Sequence, residues 1–265
     1  MSSLDKILQG VKAVAIDLDG VIYAGDRLLP YAREFVEFLR NLGKSVFFIT
    51  NNSGKSRKNI AFKLKNLGIN ATIDEVYSSG YATCIFLKQI DDKPIVFVIG
   101  SEELKNEFID LKINVSDQPE CKYLVVGFDR NFTYEKIVLG FQMIQEGALF
   151  IACNRDKSFP IEGGKSMPAC NAMIAAIEHT TGKKPDYIVG KPEIFMLELI
   201  SKRNSYQPHE ILVIGDSPET DIIMANKFGS PSILVSKNLS IKDLKKYEKP
   251  NLIIESLNQS IKLFN

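Results

Sequence analysis

Short apolar runs alternate with amphipathic stretches along the whole chain. Runs at Lys12–Ile16, Ser45–Ile49, Val76–Ser78, Pro94–Ile99, Tyr123–Val126, Leu149–Ala152, Tyr187–Val189, Ile211–Ile214, Ser232–Val235 and Leu252–Ile254 read as strands. Between them, Tyr31–Leu42 places Phe35, Phe38, Leu39 and Leu42 on one helical face, and Gly43 stops it. Glu193–Arg203 and Glu255–Leu263 read as helices in the same way. Strand and helix in steady alternation predict an α/β fold built on a doubly wound, mostly parallel sheet. The sequence has no internal repeat and no low-complexity segment.

Bulk properties narrow the class. A length of 265 residues allows one large domain or two ordinary ones, and 45% hydrophobic content supplies a real core. Lys and Arg number 33 against 32 Asp and Glu, a net charge of +1, so no electrostatic footprint for nucleic acid is visible. Lys237, Lys242, Lys245, Lys246 and Lys249 read as a solvated helix face. Cys84, Cys121, Cys153 and Cys170 lack C-x-x-C spacing, which argues against a zinc ribbon and fits a reducing compartment. His179 and His209 have no ligand-spaced partners and read as surface or helix-end residues. No signal peptide is apparent and no apolar run is long enough to span a bilayer, so a soluble, cytoplasmic protein is the expectation.

Candidate chemistry gathers where the predicted strands end. Ala13-Val-Ala-Ile runs straight into Asp17-Leu18-Asp19-Gly20, two carboxylates spaced i, i+2 before a glycine. Acids at a strand's carboxyl end sit where open α/β sheets bind ligands. They could hold a hard cation, with one attacking a substrate while the other moves protons. The plainer alternative is that they are turn formers. Three further strands end in polar residues: Thr50-Asn51-Asn52-Ser53, Lys191, and Asp216-Ser-Pro-Glu-Thr-Asp221. Each has a plainer reading alone, since Ser217-Pro218 suits a helix start and Lys191 could be an exposed lysine. All four at strand ends, in order, favour a site over four coincidences.

Spacing locates a second unit. Thr50 and Lys191 lie 141 residues apart, whereas a βαβ crossover needs only about 30. Residues 81–184 are therefore expected to form an inserted α/β cap on a discontinuous core of residues 1–80 and 185–265. Between Asp19 and Pro30 no domain fits.

The pattern Asp17-x-Asp19-Gly20, Thr50, Lys191 and Gly215-Asp216-x4-Asp221 resembles the haloacid dehalogenase superfamily. The long insertion resembles its NagD-like branch of p-nitrophenylphosphatases and phosphoglycolate phosphatases. Val125-Val-Gly-Phe-Asp129, Phe150-Ile-Ala-Cys-Asn154-Arg-Asp156 and Val189-Gly-Lys-Pro192 extend the likeness. It implies a Rossmann-like core and a Mg²⁺-dependent phosphatase of small phosphorylated metabolites, working through an aspartyl-phosphate. By that resemblance Asp17 is the nucleophile and Asp19 the general acid and base. Thr50, Asn51, Asn52 and Lys191 bind phosphate. The resemblance also implies that Asp17, Asp216 and the Asp19 backbone carbonyl hold Mg²⁺, with Asp221 orienting from nearby. Pro192 suits a first helical position, placing Lys191 at a helix start. Asn154, Arg155 and Asp156 face the site from the cap, Arg155 reading either as a contact for an acidic substrate group or as an exposed arginine. Caps of this class support homodimers.

Gly163-Gly-Lys-Ser-Met-Pro168-Ala-Cys-Asn171 departs from the family, which usually has glycines after the proline, and Gly163-Gly164 reads as a flexible turn. Two other classes compete. A phosphoreceiver module also carries an Asp, a hydroxyl and a lysine at strand ends, but it is about half this length and has no counterpart to Asp19. A catalytically idle relative that binds a metabolite or partner is the other, yet no catalytic position is missing here.

Overall fold

The computed structural model describes residues 7–161 and 165–262. From the N-terminus run β1 (Ala13–Asp17), a small hairpin of β2 (Tyr23–Ala24) and β3 (Arg27–Leu28), α1 (Ala32–Asn41), β4 (Ser45–Thr50), α2 (Arg57–Asn66) and β5 (Val76–Ser78). Then come α3 (Ser79–Ile90), β6 (Ile95–Ile99), α4 (Glu102–Asp110), β7 (Asn114–Val115), β8 (Tyr123–Val126), α5 (Tyr134–Gln145) and β9 (Leu149–Ala152). A second hairpin of β10 (Ser158–Pro160) and β11 (Ser166–Pro168) leads into α6 (Asn171–Thr181), β12 (Tyr187–Ile188) and α7 (Phe195–Asn204). The chain closes with β13 (Ile211–Gly215), a π-helical turn at Pro218–Ile222, α8 (Ile223–Phe228), β14 (Ser232–Val235), β15 (Leu252–Ile254) and α9 (Leu257–Lys262).

Two parallel sheets organise these elements. The first has the order β15-β14-β13-β1-β4-β5, so the chain winds outward from β1 to one side and later returns to the other. The carboxyl end of β1 therefore lies at the point where winding reverses, the ligand-binding position of open α/β sheets. Every residue of β1 is buried because helices cover both faces. On one face Val14, Ile16, Phe48 and Ile214 pack with Phe35 and Leu39 of α1 and Leu64 of α2.

The second sheet, β12-β9-β8-β6-β7, is also parallel. On its outer face Leu124, Val126 and Phe150 pack against Met143 of α5 and Ile174 of α6. Its other face joins the first sheet: one apolar cluster runs from Ala15, Ile49 and Val213 through Tyr81 to Val98, Val125 and Ile151. The two sheets thus share buried surface.

Several sequence expectations need correction. The strand before Lys191 belongs to the second sheet, where Tyr187 pairs with Ile151 and Ile188 with Ala152, so it does not extend the first. Lys191 stands in a turn, and the next helix begins only at Phe195, so Pro192 is not its first residue. The C-terminal lysines are exposed, but Ile241–Asp243 and Lys246–Glu248 form single 3₁₀ turns instead of one helix. Gly163-Gly164 and Leu263 lie outside the described residues. Among the described residues no helix is long and apolar enough to cross a membrane.

Candidate active site

Three neighbouring strands deliver the first groups. Asp17 ends β1, Thr50 ends β4, and Asp216 follows β13. Past Asp17 the chain turns tightly: the Leu18 carbonyl accepts from the Ile22 and Tyr23 amides, and the Gly20 amide donates to the Tyr23 carbonyl at 2.9 Å. Gly20 has φ +89°, and a Cβ there would collide with the Asp216 carboxylate. The glycine is required twice, for its left-handed backbone and for the close approach of an acid.

Asp221 arrives from the π-helical turn and is fully buried. Gly215 makes room for it, because a Cβ at 215 would overlap the Asp221 side chain. One oxygen of Asp221 accepts the Lys191 ammonium at 2.7 Å, and the other accepts the Ser217 amide at 3.2 Å. The same ammonium donates to Asp17 Oδ1 at 2.5 Å. Carboxylate oxygens of Asp17, Asp216 and Asp221 lie within 4.8 Å of one another, the one such cluster of potential ligands among the described residues.

Three acids against one base leave an excess of negative charge in a largely dry place. Burial pushes the Asp17 carboxyl well above its usual range, repulsion from Asp221 and Asp216 adds to this, and Lys191 opposes it. Burial and the Asp221 charge push Asp216 up to about 7. Lys191 moves the other way from what burial alone would do: Asp17 and Asp221 hold its proton more tightly than usual. We take the ammonium as firmly charged and the repulsion as lying among the carboxylates, since each of its two contacts is a short charge-assisted bond. An all-oxygen donor set with surplus negative charge fits a divalent, oxygen-preferring cation.

Asp19 is half-buried, and its carboxyl is raised by burial against the opposing charges of Lys63 and Lys191. Thr50 is buried, and its Oγ1 accepts the Asn52 amide at 3.0 Å, which leaves the hydroxyl proton to donate elsewhere. Asn52 also accepts from the Gly54 amide through Oδ1, so its remaining donor is the side-chain nitrogen.

From the second sheet, Asn154 is buried and donates to the Asn51 carbonyl at 2.7 Å, while its Oδ1 accepts the Asp156 amide. Asp156 faces the centre and accepts from Asn51 Nδ2 at 2.9 Å. Arg155 turns away: it donates to Asn171 Oδ1 at 3.0 Å and pairs with Glu178 at 2.6 Å. It is neither a free exposed arginine nor aimed at the carboxylates, because its guanidinium is committed to α6. His179 and His209 are exposed, as expected. Cys84, Cys153 and Cys170 are buried free thiols, and burial pushes Cys153 up to about 12.

The four aspartates of the cluster and the β1 turn, Thr50, Asn51, Asn52, Lys191 and residues 154–156 border one cavity of about 1570 Å³ between the sheets. Its wall includes residues that periodicity alone does not single out: Phe128 and Phe159, edge-to-face at 5.6 Å, and Lys63, which lies 4.0 Å from the Tyr23 ring centroid. The hairpin carrying Phe159 has only three residues per strand, too few for a periodic signal.

Comparison with known proteins points the same way. The model of haloacid dehalogenase-like hydrolases matches residues 14–114, and a HAD-hydrolase-like model matches residues 188–260. The sugar-phosphatase AraL of Bacillus subtilis is 33% identical over 251 residues, 94% of this chain and 92% of its own length. A 4-nitrophenylphosphatase from Thermotoga maritima superposes with a TM-score of 0.89 at 29% identity, covering 97% of this chain and 98% of that one. A glycerol phosphate phosphatase from Mycobacterium tuberculosis, solved in complex with magnesium, has a TM-score of 0.86 at 28% identity, covering 95% and 77%.

Proposed function

The chain belongs to the haloacid dehalogenase-like hydrolases and is a phosphatase of their NagD-like branch, and from that premise we propose that it hydrolyses monoesters of small phosphorylated metabolites through an aspartyl-phosphate on Asp17. The observation that carries this reading is the meeting of Asp17, Asp216 and Asp221 around the Lys191 ammonium, beside the Thr50 hydroxyl, at one cavity.

The cation that would occupy the acid cluster is Mg²⁺, which the carboxylates of Asp17 and Asp216 and the backbone carbonyl of Asp19 would hold. Asp221 acts from behind, since both its oxygens already serve Lys191 and Ser217. When bound, the ion offsets repulsion between the carboxylates and a phosphate dianion. The residues perform the remaining steps. Asp17 attacks phosphorus and takes the phosphoryl group, dividing the hydrolysis into two easier displacements. Asp19, whose raised pKa favours the protonated form, gives its proton to the leaving oxygen and then takes one from the attacking water. Thr50 donates to a phosphoryl oxygen with the Asn51 amide and Asn52, while Lys191 holds a fixed positive charge against the transition state.

Residues 81–184 serve as the cap and residues 1–80 with 185–265 as the core, except that β12, just past that boundary, goes with the cap; a second sheet drawn from residues 95–188 supports this reading. The cap carries Asn154 and Asp156 to the cavity, supplies the homodimer contact, and the enzyme works in the cytoplasm. The test is hydrolysis of p-nitrophenyl phosphate, then of a panel of phosphorylated metabolites, with Mg²⁺ or with chelator. Turnover that requires Mg²⁺ is expected; undiminished turnover in chelator would sink the metal assignment.

A further inference from the structure

The side chain of Asn51 has hydrogen-bond partners on every side before any substrate binds. Its Oδ1 accepts the Lys191 backbone amide at 2.8 Å, and its Nδ2 donates to the Lys191 carbonyl at 3.0 Å. One planar amide therefore closes on both backbone polar groups of a single residue. The second hydrogen of Nδ2 goes to Asp156 Oδ1 at 2.9 Å. The fit is tight, since a Cβ at Gly190 would press on Asn51 Oδ1 at 2.5 Å. Behind it, the Asn51 carbonyl is held by Ser79 Oγ at 2.8 Å and Asn154 Nδ2 at 2.7 Å.

Lys191 needs such a partner. It stands in a turn between β12 and α7, and buried backbone groups there must find hydrogen bonds outside a ladder or helix. Its ammonium sits at the end of a flexible four-carbon stem, so the backbone's position decides where the charge can stand. We infer that Asn51 is a positioning residue: its side chain clamps the Lys191 backbone so that the ammonium bridges Asp17 and Asp221, and hangs Asp156, in the loop after β9, from the same clamp. The inference rests on the phosphatase reading, in which Lys191 acts on the phosphoryl group. Asparagine suits the task because it joins an acceptor and two donors in one plane. Aspartate keeps only the acceptor, and alanine neither.

A double-mutant cycle tests this. Asn51→Ala, Lys191→Ala and the double variant are compared in steady-state hydrolysis of p-nitrophenyl phosphate at saturating Mg²⁺, with thermal melting as the check on folding. Asn51→Ala is expected to lower kcat by about 10–100-fold while KM moves by less than about threefold, as for a misplaced catalytic group. Lys191→Ala should lose about 10³-fold. The double variant should stay within about threefold of Lys191→Ala, because nothing is left to position. Asn51→Asp is nearly isosteric but turns two donated bonds into repulsion, so, with its folding checked by the same thermal melt, it should lose at least as much kcat as Asn51→Ala. Losses that multiply in the double variant, or Asn51→Asp within about twofold of the parent, overturn the clamp alone. Full activity in Lys191→Ala overturns the phosphatase reading of Lys191 and the clamp with it.

Discussion

Gly20→Ala separates backbone strain from damage to the acid cluster. At φ +89° an alanine is held in the left-handed region, which costs an L-residue about 1–2 kcal/mol. In a chain of this size that lowers Tm by about 2–8 °C. The larger effect is local. The new methyl would occupy the space of the Asp216 carboxylate, so the acid must swing out of the cluster it forms with Asp17 and Asp221. Loss of a ligand's proper placement should weaken divalent-metal binding by at least the roughly 10–100-fold seen when a ligand's supporting contacts are removed. Gly43→Ala is the matched control: its φ is +72°, yet a Cβ there meets nothing within 4 Å. Differential scanning calorimetry in chelator should give both variants a similar loss of Tm. Isothermal titration with Mg²⁺ should show weakened binding for Gly20→Ala alone. Equal metal affinity in the two variants would refute the close approach of Asp216 to Gly20 as the reason for the glycine.

Acidity, pairing and packing give further expectations. Burial and the Asp221 charge push the Asp216 carboxyl up to about 7, so in chelator it contributes stability that is complete below the unfolded value near 4 and lost as pH rises through about 7. Tm in chelator should therefore rise as pH is lowered from about 8 to about 6, while Mg²⁺ affinity falls by about tenfold per unit for each proton displaced; a metal affinity independent of pH would contradict this. Arg155→Ala breaks a half-exposed pair with Glu178 and should cost about 0.5–1 kcal/mol, with KM for any substrate within about threefold of the parent; a larger rise in KM would show that Arg155 reaches the substrate. Glu107 accepts from both the backbone amide and Nε of Arg57, at 2.8 and 2.9 Å, where Arg57 leaves β4's loop for α2. Glu107→Ala leaves a buried guanidinium over the Tyr81 ring and should cost about 3–5 kcal/mol, or about 6–20 °C in Tm. A shift under about 2 °C would mean that water replaces the carboxylate.

Much of this architecture is legible in the order of residues because buried parallel strands read as continuous apolar runs. Val76–Ser78, Tyr123–Val126, Leu149–Ala152, Ser232–Val235 and Leu252–Ile254 form strands with the bounds that the apolar runs give. The meeting of Asp17, Thr50 and Asp216 also follows, since parallel neighbours place their carboxyl ends along one edge. The placement of Lys191 is less legible. Its strand has two residues, and which sheet such a stub joins depends on a partner, Ile151–Ala152, about 36 positions earlier, which carries no local mark. The same holds for Arg155, whose partners Asn171 and Glu178 lie on a helix beyond a hairpin. Asn51 shows a further limit. Its type and place after β4 suggest phosphate binding, but the commitment of its side chain to Lys191 depends on a contact across 140 positions.

In the proposed reaction Asp17 carries the phosphoryl group. The direct measurement is to quench the enzyme in acid during steady-state turnover of p-nitrophenyl phosphate with Mg²⁺, and to map phosphate by mass spectrometry with hydroxylamine sensitivity as the mark of an acyl-phosphate. Phosphate on the peptide containing Asp17, absent from Asp17→Asn, is the expected result. A variant Asp17→Asn that turns over at the parent's rate, or an acyl-phosphate mapped to any other acid, would contradict it.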